Sequence, residues 1–258
     1  MKEFETYIDS IKQINSSTQH IEVIVPPELL SLLPGQSVLA REALKRYEIN
    51  RWEPYLRERW WPMMMKSDNR LVFERPIERR YRPQEIYSLL SPIGQPLRFR
   101  RRREMILLLA YDTVPSPLLY MLRWLKREDH TQISLLLAGS AQKYDTRHLP
   151  EEVEVIPVND DLRWEQDIWT VGQATQIFVV VNQGDENLRM ARVKKRIMAM
   201  RTEMPDNFLI GLFQSLIPCG IGACDACLLR VDGKYQHACT SGPGFDLMQV
   251  KLPDSDMD

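Results

Sequence analysis

The sequence has no long hydrophobic run, no large excess of either charge and few cysteines. Its longest apolar stretches, such as 105–111 and 177–181, are far shorter than the roughly 20 residues that span a bilayer, so no membrane span is expected. The first six residues have neither the basic region nor the apolar core of an export signal, which favours a cytoplasmic, reducing location. A net charge of −1 at pH 7 gives no reason to expect a nucleic-acid partner.

Cysteine occurs only four times, always within one short segment. The order is Cys219-x4-Cys224-x2-Cys227-x11-Cys239, a spacing typical of the ligands of one plant-ferredoxin-type [2Fe–2S] cluster. Glycine and alanine fill most of the gaps, so the backbone can wrap closely around a cluster and aim N–H groups at its sulfur atoms. An Asp-Gly pair before the fourth cysteine predicts a hairpin that returns the chain to Cys239. We therefore predict that all four cysteines are cluster ligands.

Two other uses of the cysteines stay open at this point. Zinc sites commonly use two short Cys-x2-Cys pairs, and the chain has one such pair. Disulfides require an oxidising compartment, for which the sequence gives no sign.

The histidines are scattered and accompany no recognisable nucleophile, so hydrolytic catalysis has no support. His237, two residues before Cys239, is expected to be a surface residue of the hairpin.

The remainder of the chain predicts two larger domains. Short strand-like segments separated by proline and glycine turns, beginning near His20, predict a small antiparallel β-barrel over residues 18–100, which the family resemblance given below makes a flavin-binding-type barrel. From about residue 101, continuous apolar strands alternate with amphipathic helices, including 116–127 and 186–204. This alternation is typical of a doubly wound parallel sheet, and it predicts a nucleotide-binding-like α/β domain over 101–213. Residues 214–258 then form the [2Fe–2S] module.

The order of these parts resembles one known family. Residues 219–227 read Cys-Gly-Ile-Gly-Ala-Cys-Asp-Ala-Cys, and residues 239–246 read Cys-Thr-Ser-Gly-Pro-Gly-Phe-Asp. This pattern resembles the electron-transfer subunit of dihydroorotate dehydrogenase, in the ferredoxin–NADP reductase superfamily. Pro34-Gly35-Gln36 is similar to a turn in the barrel of that family. Gly94, in Ser-Pro-Ile-Gly-Gln-Pro, matches the segment that ends its flavin domain.

The resemblance implies an oxidoreductase component with two cofactors. A [2Fe–2S] cluster would pass electrons to or from FAD, which joins one-electron to two-electron chemistry. The resemblance also implies a hetero-oligomer in which a catalytic flavoprotein, or another oxidoreductase subunit, is the partner. The family's flavin motif contains an arginine that contacts phosphate and a serine that contacts the flavin ring. Arg59 matches the arginine and Trp61 can stack, whereas Pro62 replaces the serine and offers neither hydroxyl nor N–H.

The nicotinamide motif departs further from the family. Where the family has a Gly-Gly-x-Gly-x-Ala-Pro loop after the first α/β strand, Tyr111, Asp112 and Val114 replace the three glycines. Side chains therefore fill the approach to the pyrophosphate site, and Asp112 places a carboxylate near it. The family's later Cys-Gly-Pro corresponds to Gln183-Gly184-Asp185. The sequence thus predicts no independent NAD(P)H reductase activity and no bound NAD.

Two functional hypotheses follow. In the first, the chain is an electron-transfer subunit that uses a [2Fe–2S] cluster and FAD. In the second, it is a degenerate reductase that keeps only the cluster and acts as a redox-sensing or scaffold subunit. Flavin content separates the two, because a protein that couples to two-electron carriers needs a flavin and a scaffold does not.

Overall fold

A computed structural model describes residues 1–43, 57–126 and 131–254 of the 258-residue chain. The end of the helix predicted to reach residue 127 and the last four residues of the cluster module lie outside this described part. No helix within the described residues is both long enough and apolar enough to cross a membrane.

The first domain is a seven-stranded antiparallel sheet that curls into a barrel. Its strands are β1 (Lys2–Gln13), β2 (Thr18–Ile24), β3 (Ser37–Glu42), β4 (Glu58–Trp60), β5 (Pro62–Lys66), β6 (Arg70–Pro76) and β7 (Ile86–Ile93). Their order in the sheet is β4-β3-β7-β1-β2-β6-β5. The two edge strands are separated in sequence only by Trp61, so the sheet curves back on itself. A short 3₁₀ helix, Pro27–Ser31, covers one end.

The second domain is a six-stranded sheet with five parallel strands. It contains β8 (Met105–Tyr111), α1 (Ser116–Leu125), β9 (Gln132–Ala138), a 3₁₀ helix (Gly139–Lys143), β10 (Glu154–Val158), α2 (Asp167–Gln173), β11 (Gln176–Val181), α3 (Glu186–Met200) and β12 (Leu209–Leu212). The strand order is β10-β9-β8-β11-β12-β15, where β15 (Gly244–Asp246) is antiparallel. Every residue of β8 and β11 is buried, as expected for central strands covered on both faces.

The strand order of the α/β sheet indicates where a ligand would bind. Strands β9 and β11 lie on opposite sides of β8, so the winding direction changes between β8 and β11. Ligands of such sheets bind outside the carboxyl ends of the strands at this change of direction. Residues 112–116 and 182–186 follow these two ends, and Val114, Ser116 and Gln183 from these segments line a cleft together with barrel residues.

The cluster module joins both domains. Its hairpin, β13 (Leu228–Val231) and β14 (Lys234–His237), forms around the predicted Asp-Gly turn. Strand β15 then extends the α/β sheet beside β12. On the barrel side, the Gly94 N–H donates to the Cys239 carbonyl over 2.9 Å. The module is therefore part of the seam between the two domains.

The structure confirms the predicted fold class, a flavin-type barrel followed by a parallel α/β domain and a cluster hairpin. The barrel, however, begins before the predicted boundary at residue 18, because β1 pairs with both β2 and β7. Only Thr6 and Ile8 of β1 are buried. Its charged, mostly accessible side chains give little hydrophobic alternation, which is why the pattern did not indicate a strand.

Candidate functional site

The four cysteines come together at one end of the cluster module. Cys227 and Cys239 are buried at 2% exposure each, whereas Cys219 is half-buried and Cys224 is exposed. Cys224 influences the pKa of Cys219, and Cys227 influences the pKa of Cys239, so each of these two thiols has a second thiol nearby. A [2Fe–2S] cluster needs two thiolates on each of its two irons, and neighbouring thiols fit this requirement.

The same geometry argues against a single zinc ion. Four thiolates bound to one zinc at about 2.3 Å would lie about 3.8 Å from one another. Within the described residues, the cysteines do not form a group of three or more sulfur atoms that all lie within 4.8 Å of one another. The sulfur atoms are therefore not gathered closely enough to be the four ligands of one zinc ion.

Local backbone groups set the ionisation of the unligated thiols. At Cys219 burial opposes ionisation, but N–H groups of Ile221, Ala223 and Cys224 donate to the sulfur and lower its pKa to about 6. At Cys239 burial, together with the neighbouring Cys227 thiol, raises the pKa to about 12. The loop at Cys219 thus provides the N–H donors that stabilise a sulfur ligand carrying negative charge.

A large cleft separates the barrel from the α/β domain. Its volume is about 1010 Å³, which is at the upper end of the roughly 300–1,000 Å³ typical of ligand sites. The barrel contributes Arg57, Arg59, Trp61, Glu74 and Arg75, the strand ends contribute Val114, Ser116, Pro117 and Gln183, and the start of the cluster module contributes Gln214, Ser215, Leu216 and Ile217. The cleft lies where the strand order predicts a ligand.

Arg59 and Trp61, predicted as flavin contacts, both line this cleft. The Arg59 guanidinium lies 3.9 Å from the centre of the Trp61 ring, and it donates to Ser37 Oγ over 2.9 Å and to the Phe213 carbonyl over 3.0 Å. Its third nitrogen, Nη2, is buried without a partner. Burial lowers the pKa of Arg59 to about 9, so the group stays charged at neutral pH. A buried cationic N–H without an acceptor fits an anionic ligand in the cleft.

Gly94, the third predicted flavin contact, lies where the barrel meets the cluster module. It packs against the cluster module and is not among the residues that line the cleft. Its φ is +84°, and a Cβ at this position would lie 2.8 Å from the Gly242 carbonyl oxygen and 2.8 Å from Pro243 Cδ. Glycine is therefore required here for a close approach between the barrel and the module.

Substitution of Gly94 by alanine should destabilise the chain in two ways. The backbone conformation is strained for a residue with a side chain, and the added Cβ overlaps with atoms of the cluster module. The positive φ alone costs about 1–3 kcal/mol for a side chain, and the close backbone atoms add to this. Gly233→Ala is a matched control, because Gly233 has φ +76° but no atom within 4 Å of the added Cβ. Urea unfolding should show a larger loss of stability for Gly94→Ala by at least ~1 kcal/mol. Equal losses in the two variants would mean that the contact with the module contributes nothing.

The predicted nicotinamide loop is filled by an internal ion pair. Asp112, at φ +53°, accepts the Ser140 N–H over 2.9 Å through one oxygen and the Arg189 guanidinium over 3.0 Å through the other. Gly139 lies against this carboxylate, with an added Cβ only 2.1 Å from Oδ1. The sequence predicts a carboxylate at Asp112 near the pyrophosphate site. In the structure its charge is balanced by Arg189, and the pair itself occupies the loop.

A second carboxylate occupies the start of helix α1. Glu74, from barrel strand β6, accepts the Ser116 hydroxyl over 2.5 Å and the Tyr144 hydroxyl over 2.6 Å. The N-terminus of a helix is the usual place for a nucleotide pyrophosphate in this fold. Here a protein carboxylate lies beside it. Glu74 is the last of four consecutive buried residues in β6, and no sequence signal distinguished it. The same holds for Arg189 on α3.

Glu186, at the start of α3, is also buried beside the cleft at 8% exposure. It accepts hydrogen bonds from the Gln214 N–H and, over 3.0 Å, from the Ser215 hydroxyl. It thereby holds the segment that links the α/β domain to the cluster module. Burial raises the pKa of this carboxyl above its usual value.

A raised folded-state pKa predicts a specific pH dependence of stability. The folded state favours the protonated carboxyl, so the stability that Glu186 contributes is present below its ordinary pKa and is lost as the pH rises through the raised value. Relative to Glu186→Gln, which has no titrating group at this position, the wild-type chain should lose stability as the pH rises from the ordinary pKa of glutamate through the raised value. Denaturant midpoints measured across this range test the expectation, and parallel profiles for the two chains would contradict it.

Comparison with solved structures defines the class of fold. An NADH-dependent reduced ferredoxin–NADP oxidoreductase, studied for flavin-based electron bifurcation, superposes with a TM-score of 0.70 at 14% identity, covering 96% of this chain and 90% of that one. The ferredoxin reductase of carbazole 1,9a-dioxygenase gives 0.56 at 12% identity over 81% of this chain and 68% of its own. Phthalate dioxygenase reductase gives 0.53 at 14% identity, over 80% and 66%. The chain has the fold of the ferredoxin reductases.

The cluster module matches a more narrowly defined family than the fold does. Residues 214–251 match the family model of the iron–sulfur cluster binding domain of dihydroorotate dehydrogenase B, which confirms the resemblance predicted from the cysteine motif. The chain thus combines a reductase-like electron-transfer fold with an iron–sulfur domain of this type. No curated protein sequence matches the chain.

Proposed function

We propose that this chain is the electron-transfer subunit of an oxidoreductase complex, in which a [2Fe–2S] cluster held by Cys219, Cys224, Cys227 and Cys239 exchanges electrons with FAD bound in the cleft. The position of Arg59 is the observation that carries the proposal. Its side chain lines the cleft, and its charge also interacts with Cys227 and Cys239. Arg59 is therefore a side chain that lines the proposed FAD site and also feels the charge of two proposed cluster ligands.

The residues of the cleft fit FAD. Trp61 offers an aromatic surface at the wall, and the unpartnered Nη2 of Arg59 offers a charged donor for a phosphate or another anionic acceptor. Pro62 cannot supply the hydroxyl contact, so backbone groups and stacking must replace it. When bound, FAD supplies the exchange between one-electron and two-electron carriers. The cysteines and their N–H donors hold the cluster and stabilise its charge.

The exposed edge of the cluster module is the proposed docking site of a partner protein. Cys224 is exposed, and Leu216 and Ile221 beside the cysteine segment are 60% and 58% exposed. An apolar surface around an accessible cluster ligand suits the docking of a second protein. We infer that a catalytic flavoprotein or another oxidoreductase subunit docks there, which makes the functional unit a hetero-oligomer. The filled loop at Asp112 argues that electrons enter or leave through this partner rather than through NAD(P)H.

Cofactor analysis of anaerobically purified protein tests the proposal. We expect about two irons per chain, visible absorption bands of a [2Fe–2S] cluster and stoichiometric acid-released FAD. An assay with NADH and a dye acceptor should show no robust turnover, even when both cofactors are present. Two irons without FAD would favour the redox-sensing or scaffold role, to which the loss of the serine at Pro62 and the filled loop at Asp112 also point. Zinc without iron would overturn the proposal.

A further inference from the structure

Three potential metal ligands converge outside the cluster module. His20 on β2 and Glu74 on β6 lie opposite each other in the register of the barrel, and His148 reaches them from the α/β domain. Their side chains are 10%, 3% and 14% exposed. Their ligand atoms all lie within 4.8 Å of one another. Two imidazoles and a carboxylate are thus gathered at the seam between the two domains.

The distances fit a small ion between them. His20 Nε2 and His148 Nε2 each lie 3.5 Å from Glu74 Oε2. Ligands bound tetrahedrally at about 2.0–2.1 Å lie about 3.4 Å apart, which is the geometry of zinc with nitrogen and oxygen ligands. The two imidazole rings meet edge to face, at 75°. Both histidines therefore approach the same carboxylate oxygen at a spacing typical of metal ligands.

The hydrogen-bonding pattern supports the same conclusion. His20 Nε2 is buried and makes no hydrogen bond of normal geometry, with Glu74 Oε2 at the long distance of 3.5 Å, and such weak pairing of a buried polar atom calls for an explanation. The other oxygen of Glu74 is held by the Ser116 hydroxyl. Such outer contacts orient the carboxylates of metal sites. Glu74 and Ser116 also line the cleft, which gives an ion a path to the site.

We propose that His20, Glu74 and His148 bind a divalent transition-metal ion that fastens the barrel to the α/β domain. This two-imidazole, one-carboxylate set suits Zn²⁺ and related first-row ions. The ion joins ligands from both domains, so it stabilises the walls of the cleft. The site is separate from the cysteines and uses none of their sulfur atoms.

A competing explanation is a hydrogen-bond network without metal. Tyr144 donates to Glu74 Oε2 over 2.6 Å, and its hydroxyl lies 2.9 Å from His148 Nε2. If these side chains only form a hydrogen-bond network, Tyr144→Phe should lower the stability of the chain as much as His148→Gln does. If a metal binds, Tyr144→Phe keeps all three ligand atoms and retains the ion.

The test uses Zn²⁺ as the probe on the full chain with its cluster intact. After equilibration with Zn²⁺ and dialysis, we expect about one zinc per chain, with X-ray absorption showing only nitrogen and oxygen neighbours at about 2.0–2.1 Å. His20→Gln and His148→Gln should lose at least tenfold in zinc affinity and lose the rise in melting temperature that zinc gives the wild type. Tyr144→Phe should keep both.

Three results would overturn the proposal. One is that the wild-type chain retains no zinc, and another is a sulfur neighbour at about 2.3 Å, which would assign the zinc to the cysteines. The third is zinc binding by the two histidine variants as tight as that of the wild type. The zinc content and X-ray absorption of the wild-type chain test the proposed site even if a variant fails to fold.

Discussion

Cys227→Ser is expected to reduce the iron content from about two per chain to near zero and to remove the visible absorption of the cluster. The ligand of an iron–sulfur cluster is a thiolate, and a serine hydroxyl stays protonated at neutral pH. Cys227 is buried at 2% exposure, so water or a nearby side chain cannot readily replace its sulfur. Electron transfer through the module should be lost with the cluster.

Ala226→Ser is the matched control for this variant. It introduces the same side chain one residue earlier, at an exposed position, and removes no sulfur. This control should retain both irons and an unchanged spectrum. A Cys227→Ser chain that keeps two irons and the wild-type spectrum would show that Cys227 is not a ligand, and it would remove the basis of the proposed function.

The cluster module could be predicted from sequence because its geometry is local. All four cysteines fall within 21 consecutive positions, 219–239, and the Asp-Gly turn fixes the hairpin that returns the fourth. Short spacings determine which sulfur atoms can meet. The predicted hairpin is present as β13 and β14, with the turn at Asp232 and Gly233.

The α/β domain was also predictable, for a different reason. Its central strands are buried on both faces, so they are continuous apolar runs that differ clearly from the helices between them. The barrel strands β1 and β4 gave weaker signals. They carry charged residues such as Glu3 and Glu58 on accessible faces, and tertiary pairing decides their structure.

The cleft could be predicted only in part, because its key contacts join distant parts of the chain. Arg59 was found by resemblance, but the Phe213 carbonyl that it donates to, and the cysteines whose charge it feels, belong to other domains. The sequence shows that Asp112 replaces one of the family's glycines. It does not show that Asp112 pairs with Arg189, which lies 77 residues later in the chain. Short-range patterns identify candidate residues, whereas the fold decides their partners.

Arg59→Gln is expected to weaken FAD binding about 10- to 100-fold. A hydrogen bond from a charged group contributes about 1.5–3 kcal/mol, and each 1.4 kcal/mol corresponds to a factor of ten in the dissociation constant. Glutamine keeps a donor but loses the charge and the planar face that stacks on Trp61. Acid-released FAD in purified protein and titration of the FAD-depleted protein measure the effect, and the iron content should stay near two per chain.

Arg57→Gln separates this effect from a general loss of positive charge in the cleft. Arg57 also lines the cleft, but its guanidinium is already bonded to the Ser88 carbonyl over 2.9 Å and to Glu3 over 2.6 Å. This substitution should lower the stability of the barrel and leave FAD affinity within a few-fold of the wild type. If the Arg59 variant binds FAD as tightly as the Arg57 variant does, Arg59 is not a flavin contact. The unpartnered Nη2 would then serve the interface with the cluster module, and the electron path would need a different residue at the wall of the cleft.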